Sequence, residues 1–119
     1  TANAVSDPAK ARRLLDDLQS PTLAIVLDPA NLFNEPPEPA ALGDAVARAV
    51  DLLGPDLAMA HAKDRDARGR VVAAGQGIID FAHFADCLRR AGFDGDVVTH
   101  GLAPEEAPAV AELLKRTFA

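Results

Sequence analysis

Leu23-Ala24-Ile25-Val26-Leu27-Asp28-Pro29-Ala30-Asn31-Leu32 is the stretch whose reading decides the fold. Its first five residues are apolar with no polar alternation, and a carboxylate follows at once. A strand that is apolar on both faces must be covered on both, as in parallel α/β architecture. Two more short apolar runs, Leu57–Ala62 and Asp96–Thr99, occur further along. Each of the three ends in a residue able to bind a metal: Asp28, His61 and His100.

Four amphipathic helices separate and flank these runs. The first follows Ser6-Asp7-Pro8, a capping residue and a proline at the first helical position, and carries Ala11, Leu14, Leu15 and Leu18 at helical spacing. The second runs from about Glu38-Pro39 to Leu53, with Leu42, Val46, Ala49, Val50 and Leu53 on one face, and Gly54-Pro55 stops it. Asp80 caps the third, which buries Phe81, Phe84, Ala85 and Leu88 before Gly92. The fourth follows Pro104 and shows Ala107, Val110, Ala111, Leu114 and Phe118 on one stripe. Strands alternating with helices imply right-handed βαβ units and a parallel sheet. The expected fold is α/β: a partial (β/α)8 TIM barrel of about three parallel strands and four helices, one domain over residues 1–119. A complete barrel needs about 250 residues, so 119 hold roughly half of one. Thr1 rather than methionine opens the chain, as in a processed or longer protein.

Composition excludes several function classes. The 119 residues are 49% hydrophobic and 25% charged, as in an ordinary globular unit. A net charge of -6 repels phosphate backbones, which argues against a nucleic-acid partner. No apolar run approaches the roughly 20 residues of a membrane helix, and no signal peptide is visible. The one cysteine, Cys87, cannot form an internal disulfide, which fits a cytoplasmic location.

At the working face of a barrel, the C-terminal ends of the strands, one carboxylate and two imidazoles suit a borderline divalent ion such as Mn²⁺, Co²⁺ or Zn²⁺ better than Ca²⁺. Four motifs then carry a family resemblance. Residues 25–32 resemble the LD-P-x-N-L segment of sugar phosphate isomerases/epimerases of the xylose isomerase-like barrels. Ala60-His61-Ala62-Lys63-Asp64 is similar to their H-x-K-D strand end, and Gly75-Gln76-Gly77-Ile78-Ile79-Asp80-Phe81 to their G-E-G-x-x-D-F loop. Residues 88–98 look like L-x-x-x-G-Y-D-G-x-x-V. The order matches strands six to eight, the C-terminal half of such a barrel.

The resemblance implies a metal-dependent isomerase or epimerase of a small sugar or sugar phosphate. It implies a divalent metal (Mn, Co, Zn or Mg) held by Asp28 and His61, with Asn31 against the substrate and Lys63 or Arg65 offering positive charge to a sugar oxygen or phosphate. Two departures stand out. The family's fifth-strand glutamate falls before Thr1, and its eighth-strand glutamate is His100 here. His100 can keep the metal bond and act as a base, but an imidazole bound through its nitrogen is a poor proton shuttle. Complete catalysis by this chain alone is therefore doubtful. A non-catalytic or degenerate barrel module and a dehydratase of the same superfamily stand as alternatives. Three strands leave two open sheet edges, which call for the missing N-terminal half-barrel or a second copy of the chain. The alternating charges from Lys63 to Arg70 read as a solvated loop, His83 as a surface residue and Cys87 as packing.

Overall fold

The computed structural model describes Val5 and residues 7–119. Ser6, read above as part of the first helix cap, lies outside the described residues. Helix α1 spans Pro8–Leu18, and the Asp7 carboxylate caps it by accepting from the Lys10 amide at 2.9 Å. Strand β1 covers Ile25–Leu27, helix α2 Pro39–Leu53 and strand β2 Leu57–Ala62. A short hairpin follows, β3 (Asp64–Arg65) with β4 (Val71–Val72), then helix α3 (Phe81–Arg90), strand β5 (Asp96–Thr99) and helix α4 (Ala107–Phe118).

The main sheet is parallel throughout, ordered β1-β2-β5, with Leu27 beside Ala60 and Ala60 beside Val97. Side chains alternate across a strand, so Leu27, Ala60 and Val97 face one side. That side packs on the helices: Leu27 and Ala60 are buried and Val97 lies against the core. Val26 and Val98 face the other way and remain 48% and 40% exposed. Asp28 and His100, two residues further on, inherit that direction, and His61 shares it as the partner of Val98, so all three go to the uncovered side of the sheet. Among the described residues, both β1 and β5 keep an unpaired outer edge.

The core is where the second and third helical stripes meet the sheet. Leu42, Val46, Ala49, Val50 and Leu53 of α2 are buried, as are Phe81, Phe84, Ala85 and Leu88 of α3. Phe84 is fully enclosed and meets Phe118 of α4 edge-on, ring centroids 6.1 Å apart. The outer two helices differ from their sequence stripes. In α1, Ala11 and Leu15 are buried but Leu18 is 58% exposed, because it sits on the last turn beside the left-handed cap Gln19. In α4 only Val110 is buried; Ala107 and Ala111 are exposed, and Leu113, Leu114 and Phe118 pack partly on the core. A 3-10 turn over Pro104–Glu106 precedes that helix, and the packed face of the helix runs through Val110, Leu113, Leu114 and Phe118, leaving the Ala107–Ala111 edge of the stripe outside.

Residues 63–70 also depart from the solvated loop expected of them. Asp66 accepts from the Arg68 and Arg70 amides and pairs with the Arg70 guanidinium, folding the segment into the β3–β4 hairpin. Those bonds hold the Asp66 carboxyl below the usual carboxylate range. His83 is likewise no free surface residue: its Nε2 lies 3.0 Å from the Gly43 carbonyl of α2 and ties the two helices.

Candidate metal centre at the strand rim

Asp28 and His100 directly follow β1 and β5, and His61 is the last residue but one of β2. Asp28 leaves β1 and caps a 3-10 turn over Pro29–Asn31, accepting from the Ala30 amide through Oδ1 at 3.0 Å. That bond consumes one carboxylate oxygen and turns the other outward. Around Oδ2 stand His61 Nδ1 at 3.8 Å and His100 Nε2 at 3.8 Å. Suitable atoms of all three residues lie within 4.8 Å of one another, and the two imidazoles meet edge-on with centroids 4.7 Å apart. Asp28 is buried, His61 half-buried and His100 exposed. The structure therefore brings together the three residues singled out from the strand ends.

The donor set fits a divalent transition ion. Metal–ligand bonds of about 2.0–2.2 Å place neighbouring donors roughly 3–3.6 Å apart, so the observed spacing needs only a small inward movement. His100 is free to make it, since its side chain is 46% exposed. A 2-His-1-carboxylate face with open positions opposite is a recurrent arrangement for transition metals. Two other polar groups crowd the same oxygen. Asn31 Nδ2 donates to Oδ2 at 3.1 Å, and the Lys63 ammonium lies 3.9 Å from it while donating to Asn31 Oδ1 at 3.2 Å.

Arg65 is placed differently from Lys63. Its Nη1 donates to the Phe33 carbonyl at 3.0 Å and to that of Ala30 at 3.4 Å, and its guanidinium carbon stands 5.5 Å from the Phe33 ring centroid. Its Nε is buried without a partner. Beside β1 opens a cavity of about 660 Å³ lined by Asp28, Asn31, Phe33, Lys63 and Arg65, among others. Asp28 is the member of the donor cluster that also borders this space.

Sequence reading missed Asp64. It is fully buried, and its carboxylate gathers four backbone amides: those of Arg65 and Ile79 on Oδ1, and those of Gly75 and Gly77 on Oδ2, all at 2.9–3.1 Å. The usable signal was the pair Gly75-Gln76-Gly77. Gly75 has φ +91°, and a Cβ on Gly77 would press on both the Arg65 carbonyl and Asp64 Oδ1. A glycine pair of this kind wraps a buried anion with its amides.

Parallel strands alternating with helices, with a metal-donor cluster at the strand ends, define a partial (β/α) barrel with a rim site. The sequence model of the xylose isomerase-like TIM barrel family matches residues 1–117, and the chain belongs to that family. Among solved structures it is similar to a xylose isomerase domain protein from Planctomyces limnophilus, with a TM-score of 0.74 and 20% identity over 97% of this chain and 44% of that one. It also resembles a D-allulose 3-epimerase from Methylomonas sp. solved with D-allulose, with a TM-score of 0.61 and 20% identity over 84% of this chain and 31% of the other. A third is the IOLI protein with a bound zinc atom, with a TM-score of 0.59 and 20% identity over 92% and 40%. The chain thus spans less than half the length of each. At this identity the likeness establishes the fold. No curated protein matches the chain.

Proposed function

We propose that this chain forms part of a divalent-metal-dependent isomerase or epimerase acting on a small sugar or sugar phosphate. The observation that carries the reading is the convergence of Asp28, His61 and His100 on one side of a xylose isomerase-like sheet. The sugar class rests on the D-allulose bound to one similar structure, and the metal on the zinc bound to another.

In this reading Asp28 Oδ2, His61 Nδ1 and His100 Nε2 hold the ion, whether Mn, Co, Zn or Mg. When bound, such an ion supplies electrostatic stabilisation of the negative charge that develops on a substrate carbonyl oxygen. Other residues of the chain stand beside it. Asn31 and Lys63 present an amide and an ammonium beside Asp28, where a sugar hydroxyl would be oriented, and Arg65 adds positive charge deeper in the β1 cavity. With Nε2 engaged on the ion His100 is a poor proton shuttle, so it takes or passes a proton only when the ring swings off the ion. The half-exposed side chain admits the movement that requires.

We also propose that the site is completed by strands added to the open edges of β1 and β5, from another part of a barrel or from a second copy. Val26 and Val98, bare on the site's own side of the sheet, would be covered by the same association. The single Cys87, without an internal partner, supports work in the cytoplasm.

The test is proton exchange. Metal-loaded protein, at the highest concentration at which it stays in solution, is incubated with ketopentoses and ketohexoses, free and phosphorylated, in deuterated water. Deuterium should appear at the carbon beside the carbonyl, read by NMR. Metal uptake without exchange on any of these sugars refutes the isomerase reading. Loss of water from an inosose-like ketone would assign a dehydratase in its place.

A further inference from the structure

Asp64 lies one residue from Lys63 and three from His61, yet it faces away from the rim into full burial. Burying a carboxylate is costly unless hydrogen bonds compensate it. Here four amides do so, and three of them come from residues 75–79, a segment 11 to 15 positions away in sequence. The Ile78 amide adds a bond to the Arg65 carbonyl at 2.9 Å. Asp64 and the Arg65 backbone are therefore nailed to the Gly75–Gly77 turn from two sides. From that fixed point the Arg65 side chain reaches across to the carbonyl of Ala30, inside the turn that Asp28 caps, and to that of Phe33, two residues past its end. The links form one line: glycine turn, Asp64, Arg65, Asp28 turn.

We propose that Asp64 is a positioning residue for the rim: through Arg65 it sets the stance of the Asp28–Asn31 turn, and so the geometry of the donor cluster, without touching any donor. This rests on the metal-centre reading only for its effect on ion affinity; the effect on the turn itself stands apart from it. Partners that orient a ligand typically shift metal affinity by about 10–100-fold when lost. The longer reach through Arg65 places Asp64 at the lower end, about tenfold.

The experiment compares D64N and G77A, which open the clamp from its two sides, with R65M, which leaves the clamp intact and cuts its link to the turn. V110A, a buried change on α4, serves as a destabilised control. Two readouts are taken: Co²⁺ affinity by calorimetry, and hydrogen exchange of the Ala30 and Asn31 amides in metal-free protein. All three test variants should lose about tenfold in Co²⁺ affinity and exchange those two amides faster, while V110A changes neither. R65M keeps the proposal testable if opening the clamp prevents folding. Unchanged exchange at Ala30 and Asn31 in folded variants overturns the proposal. Should the parent chain take up no Co²⁺ at all, the metal reading falls and the exchange result alone decides the role of Asp64.

Discussion

Replacing Lys63 by methionine should make the chain bind a divalent ion more tightly, although the lysine is proposed to meet the substrate. The ammonium lies 3.9 Å from Asp28 Oδ2, the oxygen on which the two imidazoles also converge. An ion on that oxygen would stand about 2 Å from it, hence roughly 5 Å from the ammonium. A single charge beside a double one at about 5 Å repels by about 1.7 kcal/mol even with water-like screening. The Lys63 side chain is only 18% exposed, so screening is not complete, but its flexible stem lets the ammonium swing aside and recover part of the cost. About 1.4 kcal/mol remains, a tenfold gain in affinity for K63M. Methionine keeps the length of the stem, so packing changes little. Calorimetry with Zn²⁺ or Co²⁺ at low salt reads the change, and added salt should narrow the gap between parent and variant. Equal or weaker binding by K63M, with an unchanged melting curve, would show that the ion sits elsewhere than on Asp28 Oδ2.

Three further outcomes follow from the fold. Burial pushes the Cys87 thiol up, against a smaller opposing pull from Arg90. The unfolded thiol thus ionises first, so stability from this group is complete below the unfolded value, near 8.5, and is lost as pH rises from there through the folded one. C87A should flatten that alkaline decline in urea midpoints measured from pH 7 to 10. F84A removes a fully enclosed ring and should cost about 3–5 kcal/mol in denaturant unfolding; a loss below about 1 kcal/mol would mean the helices do not close over it. Sedimentation should show the chain associating rather than monomeric, because two strand edges and the Val26–Val98 face lie bare; a compact monomer at all concentrations would contradict this.

Much of the architecture was legible because it depends on local patterns. The continuous apolar run ending at Leu27 and the exact extents of Leu57–Ala62 and Asp96–Thr99 followed from bounded hydrophobic stretches. The α2 and α3 faces were readable because those helices are pinned between the sheet and each other, so their burial repeats the 3.6-residue period. The α1 and α4 stripes were less so: each helix is covered on one side by few elements, and Leu18 or Ala111 can face outward at small cost. The β3–β4 hairpin and the burial of Asp64 escaped because charge alternation looks the same in a solvated loop and in a segment whose carboxylate is claimed by backbone amides. Only contacts spanning 11 to 15 residues separate the two cases.

The rim explains why three strand ends suffice to nominate a site, and also why they do not complete one. In a parallel sheet every strand points its C-terminal end the same way, so residues that follow neighbouring strands meet without any long-range signal in the sequence. Asp28 and His100 directly follow β1 and β5 and His61 lies near the end of β2, strands adjacent in the sheet, and that adjacency fixes their separation. What adjacency fails to supply is the opposite half of the coordination sphere, since β1 and β5 have no outer neighbours among the described residues. A substrate bound at this rim would be held by donors from one side only. Its remaining contacts, and the second proton-transferring group that an epimerisation requires, must then come from whatever covers those edges. Exchange of a substrate proton is accordingly expected to rise with association, and activity per chain that is independent of concentration across the association range would argue that His100 and its neighbours work unaided.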